Sequence, residues 1–153
     1  MAIAKLREFL DHEHVNYTMC PHEPAFTAQE IAASAHISGK ELAKTVMLNL
    51  DGRMAMAVLP ADQKIALPAF RESVGVPKAR LATEDEFKDL FPDCETGAMP
   101  PFGNLYGMDV YVAPALAEDE EIAFNAGSHD ELMKIRYREF ERLVHPTVAD
   151  FTA

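Results

Sequence analysis

A lysine that opens an apolar run is the first residue in this chain equipped for chemistry. In "LAKTVMLNL", Lys44 alternates with Val46, Leu48 and Leu50, so in a strand it shares their face. Its ammonium either leaves through the strand's end along its aliphatic stem or projects into a hollow to meet an anion or a carbonyl. The run that follows carries Ala55 and Ala57, small residues that leave room beside Lys44 if the two strands pair in that register. A second candidate is "TGAMPPFGN", Thr96 to Asn104. Gly97 and Gly103 admit backbone conformations closed to other residues, while Pro100 and Pro101 fix φ and lack N–H donors. Such a loop is a rigid surface turn or a preset wall whose remaining N–H groups face a developing negative charge. The third candidate is "NAGSHDE", where Ala126, Gly127 and Ser128 deliver His129 at the end of a strand. His129 is either an exposed loop residue or a group that orients substrate and moves protons near neutral pH.

No protein nucleophile stands out. Ser128 and His129 are neighbours in sequence, which does not make a nucleophile and its base, and no Ser-His-acid arrangement can be justified. "HEHVNYTMCPH" offers His12, His14, Cys20 and His22, but their spacing matches no zinc template, and no bound metal is expected. Cys20 and Cys94 are read as small, partly apolar packing residues rather than reactive thiols.

Elements must position these groups. "MAIAKLREFLDHEHV" places Ile3, Leu6, Phe9 and Leu10 on one face of an amphipathic helix, unlike the unbroken apolar core of a signal peptide. "NYTMCPHEP" is a short extended piece, and Thr27 with Glu30 forms a capping box for a second helix. "AKTVMLNLDGRMAMAVLP" is a hairpin turning at Asp51-Gly52, a dipeptide suited to positive φ. "LPAFRESVG" and "TEDEFKDLF" are short helices, the latter with Thr83 and Glu86 as another capping box. "DVYVA", "EIAFNAG" and "LMKIRY" are strands, and "REFERLV" is a closing helix stopped by His145-Pro146. Hairpins interspersed with short helices make an α+β domain with a mixed or antiparallel sheet.

Composition bounds the rest. The 153 residues fit one domain, 1–153, and 48% hydrophobic content with 25% charge is that of a globular protein. No stretch is long and apolar enough for a membrane span. Two cysteines far apart, with no secretory signal, point to a reducing cytoplasm. A net charge of −11 argues against broad attraction to polyphosphates, so any nucleic-acid contact must be local. The main positive concentration is "KIRYREFER", with Lys134, Arg136, Arg138 and Arg142 diluted by Glu139 and Glu141.

In order along the chain, "PHEPAFTAQEIA", the lysine of "LAKTVML", the G-x-x-x-P loop "GAMPPFG" and "AGSH" resemble the YbaK/prolyl-tRNA synthetase-associated editing domain family, from Tyr17 through Leu143. The resemblance implies a barrel-like, mostly antiparallel sheet flanked by short helices. It also implies a free-standing deacylase that cleaves the ester of a tRNA carrying a small wrong amino acid: alanine, serine, threonine, cysteine or 2-aminobutyrate. By motif, Lys44 resembles the family's active-site lysine, Gly97 to Pro101 its substrate-holding loop, and His129 its pocket histidine. Ala98, Met99, Pro100, Phe102, Met47, Gly127, Ser128 and His22 complete the expected substrate contacts, with Met56 as a further candidate wall. Ala126 departs from the family, many of whose members have a second glycine there. An aminoacyl ester is already activated and its ribose 2′-hydroxyl can attack or position water, so substrate-assisted hydrolysis without a cofactor is expected. Mischarged tRNA is the expected partner, held weakly and salt-sensitively by Lys44 with Lys40, Lys64, Lys134 and Arg136. A synthetase is a further candidate partner. Two other classes of function remain: a non-catalytic module holding an amino acid, nucleotide or synthetase in the same pocket, and a metal hydrolase built on the N-terminal histidines and Cys20.

Overall fold

The structure, a computed structural model, describes residues 4–21, 41–95, 98–128 and 131–152. The second helix expected after Thr27 lies outside these residues. Helix α1 (Ala4–His12) buries Leu6 and Leu10. Strand β1 (Thr18–Pro21) follows, then the hairpin β2 (Ala43–Leu50) and β3 (Arg53–Pro60). Its turn has φ of 57° at Asp51 and 97° at Gly52, and the Gly52 N–H donates to Asn49 Oδ1 at 2.6 Å. Positive φ at both central residues matches the twist of the flanking strands, which is why Asp-Gly marks the turn in the sequence. Helix α2 (Leu67–Val74) ends on Gly75 in the left-handed region, whose N–H bonds to the Arg71 carbonyl. After β4 (Arg80–Leu81), the Thr83 capping box opens α3 (Glu84–Phe87), with the Thr83 N–H donating to Glu86 Oε1 at 2.9 Å. Arg80 and the Thr83 and Asn49 donors together hold the Glu86 carboxyl far below the usual carboxylate range.

The second half contains β5 (Asp109–Val112), α4 (Pro114–Ala117), β6 (Glu121–Asn125), β7 (Glu131–Arg136), α5 (Tyr137–Val144) and β8 (Thr147–Val148). The chain does not close on α5. His145 adopts φ 53° at the helix end, and β8 then pairs parallel to β5.

Two sheets result: an antiparallel β1-β7-β6 and a mixed β4-β2-β3-β5-β8. One parallel bridge, Leu42 to Ala123, joins them, supported by the Ala123 N–H donating to the Glu41 carbonyl at 3.1 Å. The expected barrel does not form. The same edge of β2 meets β6 only at its start, while Leu48 and Asn49 pair with β4, so the ladder splays rather than closes.

Both faces of the hairpin are covered. Ala43, Met47, Met56 and Val58 enter one core with Phe102, Phe124 and Phe140. Leu48, Leu50, Ala55, Ala57 and Leu59 enter another with Phe70, Tyr111 and Phe151. Alternation along each strand divides the two cores, so Lys44 belongs to the second face and Met47 to the first.

Candidate active site around Lys44

The two-residue turn fixes the hairpin register, and Lys44 stands opposite Leu59. Ala57 and Ala55 face Val46 and Leu48 instead, deeper in the second core, so they do not make room for Lys44 as expected from sequence. What lies beside Lys44 is the turn after β3. There the Ala61 N–H donates to the Leu42 carbonyl at 2.8 Å, and the Gln63 N–H to the Pro60 carbonyl at 3.0 Å. Half-buried Lys44 has its pKa lowered, first by loss of hydration and also by Lys64, while Asp62 pulls it back up.

The Leu42 to Ala123 bridge then sets the relation to the Gly/Pro loop. β2 and β6 run parallel there, so Lys44, two residues past the bridge, is level with Asn125, two residues past it on β6. Asn125 leads directly into Ala126, Gly127 and Ser128. That turn is tied to the loop through backbone bonds on both sides of Gly127: its N–H donates to the Ala98 carbonyl at 2.9 Å, and its carbonyl accepts from Glu95 at 2.8 Å. Thus the lysine, the end of β6 and the loop following Glu95 converge on one edge of the fold. Gly97, His129 and His22 lie outside the described residues.

The loop is a wall, not a surface turn. Ala98, Met99, Pro100, Pro101 and Phe102 are all buried. Met99 and Phe102 enter the first core, as do Met47 and Met56 on the face of the hairpin opposite Lys44. These four side chains, expected from sequence to shape the pocket, are thus packed into the first core. Ser128 is buried beside the wall.

Gly127 has φ 107°, a conformation costly for any residue with a Cβ. Gly127→Ala is expected to cost about 1–2 kcal/mol from backbone strain alone and to loosen both bonds to the loop. A lower denaturation midpoint with a slower deacylation rate is the expected pair of readings. An unchanged rate would detach this turn from the reaction.

Sequence reasoning missed two groups. Asn125 Oδ1 and Gln63 Oε1 are buried acceptors without a hydrogen-bond partner among the described residues, one level with Lys44 and one in the turn beside it. Counting across the hairpin from Asp51-Gly52 sets Leu59 opposite Lys44 and so brings the turn that holds Asp62 and Gln63 to the same end of the hairpin, and Asn125 stood in the quoted "NAGSH" stretch.

The cysteines are not set up as nucleophiles among the described residues. Burial pushes the Cys94 thiol up, and its Sγ lies 3.9 Å from the Tyr106 hydroxyl at the margin of the first core, as suits a packing residue. Cys20 is half-buried and free. No group of three or more His, Cys, Asp or Glu side chains is placed to hold a metal among the described residues. A hollow of about 530 Å³ at the far end of the hairpin is lined by Asn49, Asp51, Arg71, Lys78 and Arg80, well away from Lys44. Two of its cations are already matched, Arg80 to Glu86 at 2.7 Å and Lys78 to Asp51 at 3.9 Å.

Residues 22–143 match the aminoacyl-tRNA editing domain. The chain is 26% identical over 152 residues to the multifunctional Ser/Thr-tRNA deacylase ProXp-y of Escherichia coli (strain K12), covering 96% of this chain and 90% of that protein. It is 25% identical over 150 residues to the prolyl-tRNA editing protein ProX of Acetoanaerobium sticklandii, covering 94% and 91%. Among solved structures, the hypothetical protein APE2540 superposes with a TM-score of 0.86 at 23% identity over 97% of this chain and 99% of that one. A candidate trans-editing enzyme for prolyl-tRNA synthetase does so at 0.81 and 20%, over 97% and 95%. At those identities the two structures speak to the fold alone.

The mixed α+β fold and the match to the editing domain together define the class. The chain belongs to the aminoacyl-tRNA editing domain family. Its activity class is therefore that of the aminoacyl-tRNA deacylases, hydrolases whose substrate is a mischarged aminoacyl-tRNA.

Proposed function

We propose that this protein edits in trans tRNAs charged with a small non-cognate amino acid, and that the ester is cut with help from the substrate's own 2′-hydroxyl. The observation that carries the reading is a convergence: an ammonium and a rigid, buried loop reach the same edge, without an activated side-chain nucleophile among the groups that the sequence offered. Lys44 holds the substrate's terminal nucleotide or carbonyl region and stabilises the charge that develops as the ester opens. The loop from Gly97 to Pro101 holds the aminoacyl group, with Ala98 fixed by its bond to Gly127. His129, with Ser128 and Gly127, borders the pocket, and His22 completes it. Asn125 and Gln63 supply acceptors for substrate donors such as the α-ammonium or a ribose hydroxyl.

A small pocket acts as the second sieve that a synthetase needs, because one methylene separates two substrates by only about 1–3 kcal/mol in a hydrophobic site. The names of the relatives favour serine and threonine as the misplaced residues. Weak, salt-sensitive binding follows from the net charge of −11 and contact limited to the acceptor end, and a synthetase that hands over its product is the further partner. The free cysteines suit a reducing cytoplasm.

Incubation with tRNAs carrying alanine, serine, threonine, cysteine or 2-aminobutyrate should release the smaller residues, while correctly charged tRNAs with larger residues survive. Failure to release any of them, with tRNA still bound, would make the protein a binding module instead.

A further inference from the structure

Many of the described cations in this acidic chain are held by acids. Arg53 pairs with Asp109, Lys78 with Asp51, Arg80 with Glu86, Lys88 with Asp85 and Arg142 with Glu139. Arg136 and Arg138 have no ion pair among the described residues, and they stand together: both are exposed and both line a hollow of about 300 Å³ with His14, Asn16 and Glu139. The hollow is built rather than accidental. Extending the β1–β7 register by two residues sets Asn16 opposite Arg136. Arg142 reaches across to the Glu13 carbonyl at 3.4 Å, tying α5 to the turn that carries His14. Arg142 also neutralises Glu139, the hollow's one acid, at 2.7 Å.

Two further features favour an anion there. Arg136 is the N-cap of α5 and gives it no side-chain cap; the Tyr137 amide between the two arginines already donates to the Glu120 carbonyl at 2.9 Å, so the guanidinium groups themselves are the donors offered to an anion. Lys134 extends the cationic line, because it pairs with Ala123, the residue bridged to Leu42, and so occupies the same side of the sheet as Lys44. From Lys44, Arg136 is four residues along and two strands across. At about 3.3 Å per residue and about 4.8 Å per strand, that is a separation of roughly 16 Å, the span of a few nucleotides.

We propose that the hollow formed by His14, Asn16, Arg136 and Arg138, approached along Lys134, receives backbone phosphates of the tRNA acceptor strand as it leaves the Lys44 site. The inference rests on the functional reading above for its ligand and adds where the nucleic acid lies. Two planar guanidinium forks side by side suit phosphate oxygens, which hold register without reading sequence. An adjoining hollow shares both arginines but adds Asp119, Glu120 and Glu141, so its charge balance turns phosphate away.

Fluorescence anisotropy with uncharged tRNA, across a salt series, tests the proposal. Arg136→Glu combined with Arg138→Glu should weaken binding tenfold or more, and the milder Arg136→Gln/Arg138→Gln pair several-fold. The slope of log K against log salt should become shallower by about 0.7–0.9 for each phosphate that the variant no longer neutralises. Lys78→Glu, at the far end of the hairpin, should leave binding and slope near wild type. Hydrolysis of a short 3′-terminal oligonucleotide carrying the same amino acid should fall less in both double variants than hydrolysis of the full tRNA does. Unchanged affinity and slope in both double variants would overturn the proposal, including in favour of a protein partner at this hollow. A wild-type chain that hydrolyses nothing yet binds tRNA through Arg136 and Arg138 would sink the catalytic reading and leave this one standing.

Discussion

Lys44→Ala is expected to lower the rate of deacylation by on the order of 10²- to 10³-fold, the loss usual when one preset stabiliser of developing charge is removed. Cys20→Ala and Cys94→Ala should leave it within a few-fold of wild type. A dead cysteine variant would replace substrate assistance with a thiol mechanism. The fold should not suffer with Lys44. Loss of hydration lowers its pKa, so the protonated side chain weakens the native state below the folded pKa, and that penalty disappears as pH rises towards the unfolded value. Lys44→Ala should therefore melt at or above the wild-type temperature at neutral pH while its activity collapses. The same direction sets the alkaline limb of the wild-type profile. If the ammonium is the active form, rates corrected for spontaneous ester hydrolysis should decline with a midpoint below lysine's ordinary 10.5. A limb at or above that value would mean that the charge on Lys44 does not serve the reaction.

How far the site could be read in advance depended on whether its parts are set by local or distant contacts. The hairpin was legible because Asp51-Gly52 states its own turn, and the Thr83 capping box because its two residues are three apart. Lys44 could be placed at the head of an apolar face, and the wrong guess was which neighbours it meets. That register follows from the turn by counting, and it yields Leu59 and the Asp62–Lys64 turn rather than Ala55 and Ala57. The Leu42 to Ala123 bridge was not legible at all, since nothing local marks a single parallel pairing 81 residues apart in sequence. Yet that bridge levels Lys44 with Asn125, and it also lets β2 turn away to β4, which is why the sheet stays open. The tiny strands β4 and β8 were missed for a related reason, two residues being too few to show alternation. The Gly/Pro loop misled in another way. Glycine and proline announce a stiff backbone but not its depth, and only packing shows that Pro100 and Pro101 are buried.

That burial gives Phe102→Ala the largest expected effect on stability. The ring is fully buried, with ring centroids 5.5 Å from Phe124, 5.7 Å from Phe140 and 6.4 Å from Phe9, so it joins β6, α5 and α1 at one point. All three are edge-on or tilted aromatic pairs, which add to the area that the ring removes from water. Close-packed neighbours on three elements cannot all collapse into the space, and the loss should be about 3–5 kcal/mol. Urea unfolding should show it as a lower midpoint with the slope unchanged. Because the ring supports the loop from behind, the ranking of amino acids that the folded variant releases should stay as in wild type, even if every rate falls. The opposite pattern, a midpoint near wild type with larger aminoacyl groups newly accepted, would place the ring in contact with substrate. Phe102 would then be a gate of the sieve, and the wall behind Lys44 would have to be sought in Met99 and Pro100.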